Sequence, residues 1–189
     1  MGIVTRMVPQ KGIDLLQPII RALLNDLPIQ LVAVGEGETG IMDFLLNLKK
    51  DLPHKAAVKF EYNQELPHLI YAGADVVLIP SRFEPSGLTQ MEAMGYGCIP
   101  IVRKTGGLSD TVEDCDPEAA RGTGFVFEKI EPLSLMTAIV RAYESFRHKN
   151  SWRELQLRAM QKDFSWTASA KQYVELFKQA IKIHRGAKN

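Results

Sequence analysis

The feature that most constrains this chain is a set of six short apolar runs, most of them unbroken rather than alternating. They fall at residues 2–5, 29–34, 57–62, 75–80, 98–102 and 124–127. A strand that is apolar at every position has both faces buried, and such strands occur in parallel sheets covered by helices on both sides. The stretches between the runs carry the helical period. Residues 13–25 place Leu15, Leu16, Ile19, Ile20, Leu23 and Leu24 on one face, and residues 41–50 do the same with Phe44, Leu45 and Leu48. Shorter helices are expected at 66–73, 87–96 and 108–114, and the last third reads as helix at 132–147, 151–162 and 167–185. This alternation predicts an α/β fold: a Rossmann-like, doubly wound parallel sheet of six strands with right-handed crossovers, followed by C-terminal helices.

The chain has 189 residues, enough for one such domain with a sizeable core. We divide it into a Rossmann-like domain over 1–163, a C-terminal helix over 164–185 and a loose tail over 186–189. The 23 basic and 22 acidic residues leave a net charge of +1, which gives no electrostatic case for nucleic acid or an anionic membrane as partner. No apolar stretch is long enough to span a bilayer, and the N-terminus lacks the basic-then-apolar layout of a secretion signal, so a secreted protein is not expected. Cys98 and Cys115 make neither a disulfide framework nor a metal-type spacing, and Cys98 is expected in the core. His54, His68, His148 and His184 are scattered, with His68 expected as a packed helix residue. No metal-ligand spacing is present in the sequence. A natural domain seldom starts inside a buried strand, and residues 2–5 already read as one. The chain is therefore expected to be part of a longer protein.

In this fold class, ligands bind beyond the carboxyl ends of the strands, where strand order reverses. With the common order 3-2-1-4-5-6, the crevice opens between the first and fourth strands. The loops there hold unusual residues. Arg6 can grip phosphate oxygens bidentately and Lys11 can supply a point charge, although a solvated basic loop reads the same way. Gly12 then opens a helix whose amides face the crevice. Gly35 and Gly37 allow a tight turn or a close backbone approach, without the third glycine of a dinucleotide fingerprint. In the second loop Glu84 follows a buried strand and can accept hydrogen bonds from ligand hydroxyls. Pro85, Ser86 and Gly87 turn into a helix, where the amides of Ser86, Gly87 and Leu88 suit an oxyanion. Glu92 is expected two turns inside that helix. Both acids also read as ordinary surface carboxylates. Thr105, Gly106 and Gly107 precede a short helix as an anion nest or a flexible turn.

Arg6 with Gln10-Lys11-Gly12, then Tyr62, then the run from Pro80 through Glu84-Pro85-Ser86-Gly87-Leu88-Thr89-Gln90, then Lys104-Thr105-Gly106-Gly107-Leu108, resemble the C-terminal domain of the glycogen and starch synthases. These are retaining glucosyltransferases of the GT-B fold. The resemblance covers nearly the whole chain, in order. The Glu84 to Glu92 spacing is shared by a wider set of retaining GT-B enzymes, and the run from Glu84 to Gln90 points to the synthase branch. Ser86 stands where many members carry Cys, and Glu92 where many bacterial members carry another residue. The resemblance implies that Arg6 and Lys11 bind the donor diphosphate of ADP-glucose, or of UDP-glucose, and that Glu84 holds the glucose hydroxyls. It implies contacts from Ser86, Gly87 and Leu88 to the sugar, and from Thr89, Thr105, Gly106 and Gly107 near the phosphates. It further implies Tyr62 on the base, Glu92 at the ribose, no metal and no cofactor, and an α-glucan acceptor held by a second domain. The apolar stripe Trp166, Tyr173, Val174, Phe177 and Ile181 would cross to that domain or pack on this one. A bacterial cytosol or plastid stroma is the implied compartment.

Overall fold

A computed structural model of the chain describes residues 1–61 and 63–186. It contains one six-stranded, all-parallel sheet in the order β3-β2-β1-β4-β5-β6. The strands are β1 (Gly2–Val4), β2 (Leu31–Val34), β3 (Ala56–Lys59), β4 (Val76–Ile79), β5 (Ile99–Arg103) and β6 (Phe125–Phe127). Each coincides with one of the six predicted apolar runs: β1, β2, β4 and β6 lie inside theirs, shortened at one or both ends, whereas β3 starts one residue before its run and β5 ends one residue after its own. The unbroken runs mean what their pattern implies: all of β4, and β5 up to Val102, are buried. The fold is the expected Rossmann-like, doubly wound α/β sheet.

The helices are α1 (Ile20–Asp26), α2 (Thr39–Asp51), α3 (Leu66–Gly73), α4 (Thr89–Gly95), α5 (Gly106–Thr111), α6 (Pro132–Arg147), α7 (Lys149–Met160) and α8 (Trp166–Gly186). The chain winds from β1 outward to β3, returns through α3, then winds from β4 outward to β6. Right-handed crossovers put α1 and α2 on one face and α4 and α5 on the other. The reversal falls between β1 and β4, so the loops leaving those two strands diverge at the sheet's carboxyl edge and open a crevice.

Three helix predictions are corrected. The single helix expected over 13–25 is a 3-10 turn, Ile13–Leu16, followed by α1. Pro18 is the reason: it has no N–H for Asp14, so Gln17 bonds back to Asp14 instead and the α-helix starts afresh at Ile20. Helix α4 starts at Thr89 rather than at 87, because Gly87 lies in the left-handed region at φ 77°. Helix α5 spans 106–111 rather than 108–114, so the paired glycines belong to its first turn. His68 is exposed rather than packed inside; its ring lies against Tyr71 and Tyr96. No residue of α8 is buried, and Trp166 is 88% exposed, so its apolar stripe does not pack on this domain. No helix among the described residues is long and apolar enough to cross a membrane. Residues 187–189 of the expected tail lie outside the described residues.

Candidate functional site

The chain leaves β1 into Thr5 and Arg6, makes a 3-10 turn over Pro9–Lys11, and is ended by Gly12 at φ 69°. A β-carbon on Gly12 would stand 2.0 Å from the carbonyl oxygen of Pro80 at the end of β4. Only glycine lets the two loops approach this closely. That approach delivers Lys11 to Glu84. The Lys11 Nζ donates to Glu84 Oε2 at 2.5 Å, and the Ser81 hydroxyl donates to the same oxygen at 3.1 Å. The two side chains are 16% and 12% exposed, so the pair is largely withdrawn from water. A charge pair there acts more strongly than one on the surface. Lys11, Ser81, Glu84, Gly87, Leu88 and Thr89 share the wall of a cavity of about 320 Å³. Its size suits a small polar ligand. Lys11 offers such a ligand a cation and Glu84 an acceptor for hydroxyls.

Around this pair the loops are tied together side chain by side chain. Arg82 forks onto Asp14, with Nη1 to Oδ1 at 2.7 Å and Nη2 to Oδ2 at 2.8 Å, and also reaches the Pro9 carbonyl at 3.1 Å. The Arg82 amide donates to the Gln10 carbonyl at 2.8 Å, and Gln10 Nε2 donates to the Phe83 carbonyl at 3.0 Å. From beneath, Arg103 at the end of β5 donates to the carbonyls of Ser81, at 2.8 Å, and Arg82. The Asp14 carboxylate raises the Arg82 guanidinium's pKa, whereas burial and the charge of Arg82 lower that of Arg103. Sequence reasoning missed Asp14, Arg82 and Arg103 as site residues. The available signal was an acid and an arginine placed in the two loops that the topology makes neighbours.

The third loop is closer to the second than an open nest would be. A β-carbon on Gly107 would stand 2.0 Å from the Ser86 carbonyl oxygen, and one on Gly106 2.1 Å from that of Glu84. The Gly107 amide is already spent on the carbonyls of Glu84 and Pro85, at 3.1 and 3.2 Å. The expected nest is therefore reduced to Gly106, and the glycines serve close packing. By contrast, the amides of Ser86, Gly87, Leu88 and Thr89 have no acceptor among the described residues. Buried Gln90 ties the loops further, donating to the carbonyls of Ser86 and Gly87 and to the Thr111 hydroxyl. The Thr89 side chain lies against the phenol of Tyr71, whose pKa burial pushes up to about 12.

The other expected residues stand farther out. Arg6 is exposed, with no side-chain partner among the described residues, and does not line the cavity. Thr105 and Gly106 also lie outside its wall. Glu92 is exposed and sits in the first turn of α4, not two turns in, because that helix begins late. Tyr62 lies outside the described residues. Gly35 and Gly37 follow β2 and back the first loop, with Met7 donating to Glu36 and Glu38 to Met7. No cluster of three His, Cys, Asp or Glu suited to a metal occurs among the described residues. A larger cleft of about 960 Å³ opens at the opposite, amino edge of the strands, beside Met1, Ile29, Leu69, Ile139 and Trp152. It holds none of the loop residues.

The sequence profile described as "Glycosyl transferases group 1" matches residues 1–156. The chain is 48% identical over 180 residues to glycogen synthase 1 of Synechocystis sp., covering 95% of this chain and 38% of that protein. It is 44% identical over 181 residues to the glycogen synthase of Trichodesmium erythraeum, covering 96% and 39%. The chain thus spans less than half the length of these relatives. Among solved structures it is similar to the catalytic domain of starch synthase IV from Arabidopsis thaliana bound to ADP and acarbose. There the TM-score is 0.81 and the identity 37%, over 96% of this chain and 38% of that one. It is also similar to HepE from Anabaena in complex with UDP, with a TM-score of 0.66 and 25% identity over 94% and 48%.

Proposed function

The chain belongs to the group 1 glycosyl transferases, and on that footing we propose that it is the nucleotide-sugar-binding domain of an enzyme of the glycogen and starch synthase type. One observation carries the reading: the Lys11–Glu84 pair, nearly buried, in a cavity at the point where strand order reverses. In this reading the donor is ADP-glucose. Its diphosphate takes over Lys11, with Arg6 swinging in from the rim, and these two cations, not a metal ion, balance the charge. Glu84, released from Lys11, accepts hydrogen bonds from glucose hydroxyls, and the unpaired amides from Ser86 to Thr89 face the sugar and its phosphate. The charge on the departing diphosphate grows as the glycosidic bond breaks, so Lys11 contributes more in the transition state than in the bound donor.

The reaction proposed for the longer enzyme is retaining transfer of glucose to the non-reducing end of an α-1,4-glucan. The acceptor would be held by the part of the relatives that this chain does not match, and the exposed stripe of α8 would pack there. The bacterial glycogen synthases among the relatives support a cytosolic enzyme, and the plant starch synthase a plastid one. UDP-glucose is the alternative donor, supported by the likeness to HepE in complex with UDP.

Calorimetric titration of the chain with ADP and UDP, each with and without EDTA, tests the reading. ADP is expected to bind more tightly than UDP, and EDTA to change neither affinity. Failure of a folded chain to bind either nucleotide at millimolar concentration would refute the donor site. A parallel assay follows labelled glucose from ADP-glucose into glycogen. The chain alone is expected to give none, because transfer needs both substrates held in one geometry.

A further inference from the structure

Two loops from distant parts of the sequence meet at the Lys11–Glu84 pair, and one ion pair lies directly beside it. Asp14 stands three residues after Lys11, and Arg82 two before Glu84. The Arg82 fork onto Asp14, its bond to Pro9, and the Gln10 bonds to Arg82 and Phe83 bracket Lys11 and Glu84 from one side. Arg103 fixes the carbonyls of Ser81 and Arg82 from the other. Glu84 thus sits in a segment whose preceding residues are all tied, and Lys11 in a turn pinned at both ends. Asp14 and Arg82 are 39% and 35% exposed, which makes them a weak source of stability. Yet the fork is bidentate, the geometry in which an arginine fixes orientation rather than merely supplying charge.

We propose that Asp14 and Arg82 form a positioning clamp, which holds the first and fourth strand loops at the separation where Lys11 and Glu84 meet. Neither residue touches the ligand in this account. Both act through the pair, and the part concerning nucleotide binding rests on the donor-site reading above.

Asp14→Asn decides between a clamp and simple electrostatics because the two predict opposite signs. Removing an acid near an anion site should tighten nucleotide binding by Coulomb's law. Loosening a clamp should weaken it instead, by about tenfold if the coupling is typical of residues in contact. Arg82→Lys keeps the charge but loses the fork, and the same weakening is expected. Asp51→Asn breaks another arginine–aspartate pair, Arg21–Asp51 at 2.7 Å, and should leave ADP affinity unchanged. All three variants should melt within a few degrees of the wild type; if one does not fold, the other clamp variant carries the test. A second readout needs no nucleotide. The Lys11 ammonium, held by Glu84, should give a slowly exchanging 15Nζ signal, assigned by its loss in Lys11→Arg. That signal should disappear or shift in both clamp variants and persist in Asp51→Asn. Unchanged or tighter ADP binding by Asp14→Asn, or an unchanged Lys11 signal, overturns the clamp. If the wild type binds no ADP, the donor reading fails, and the Lys11 signal still decides the clamp.

Discussion

The contact between the second and third loops can be tested by adding a single methyl group. In Gly107→Ala the new β-carbon would stand 2.0 Å from the Ser86 carbonyl oxygen and 2.6 Å from that residue's carbonyl carbon. Both obstacles are backbone, so no side chain can turn aside. The loop over 84–88 must lift by about an ångström to restore van der Waals contact, a shift on the scale at which overpacking is felt. The lift stretches the bonds from the Gly107 amide to Glu84 and Pro85, now 3.1 and 3.2 Å. Overpacking plus a weakened hydrogen bond together cost about 2–4 kcal/mol. A chain of this length unfolds with an entropy of about 0.4 kcal/mol/K, so the melting temperature should fall by about 5–10 °C. Gly73→Ala is the matched control: nothing lies within 4 Å of its β-carbon, and it ends α3 with ordinary helical geometry. There alanine should stabilise by about 0.4–1 kcal/mol, by restricting the unfolded chain. Differential scanning calorimetry of both variants reads the two signs. A Gly107→Ala protein melting within 2 °C (about 1 kcal/mol) of the wild type would refute the close approach of these loops.

Three further outcomes are expected. Lys11→Ala leaves Glu84 nearly buried with only Ser81 beside it and should cost about 2–4 kcal/mol in urea unfolding, while Lys11→Ala with Glu84→Gln should recover at least half of that; simple additivity would show that the pair is not coupled. Neither thiol should react with a disulfide reagent at pH 8 in the folded protein, since both are buried, and burial pushes Cys98 up to about 12 and also raises Cys115; one rapidly reacting thiol would contradict this. In Trp152→Phe the remaining fluorescence comes from Trp166, which is 88% exposed, so iodide should quench it fully; a shielded signal would mean that α8 is covered.

The fold was legible because its signal is one-dimensional. Strands buried on both faces need apolar residues at every position, and β4 and β5 display that in four consecutive letters each. Order and handedness then follow from general rules for parallel sheets, without any contact being known. What failed was local. Pro18 stood in plain view, yet the apolar spacing of Leu15, Leu16, Ile19 and Ile20 runs straight through it, because a 3-10 turn and a helix bury similar faces. The start of α4 is not legible, because Gly87 reads both as a helix N-terminus and as a turn, and only its dihedral distinguishes them.

The site was legible as a set of loops but not as a geometry. The sequence marks Lys11 and Glu84 for separate tasks, and their bond spans 73 residues that no periodicity connects. Arg82 and Asp14 carry no signal of their own for the same reason: each is an ordinary charge in its own segment, and the fork exists only where the topology makes the loops neighbours. The paired glycines show a deeper limit. An anion nest and a close backbone approach both require the absence of a side chain, so they leave the same mark in a sequence. They differ in where the amide points. In Gly107 it points at the carbonyls of Glu84 and Pro85, which uses up the donor and fastens the third loop to the segment that carries Glu84. The free amides of this site belong instead to Ser86 through Thr89, on the far side of that fastening. The glycines let the second and third loops close on each other, Gly107 keeps its own amide for that contact, and a substitution at 107 should disturb Glu84 before it disturbs any ligand contact of that residue.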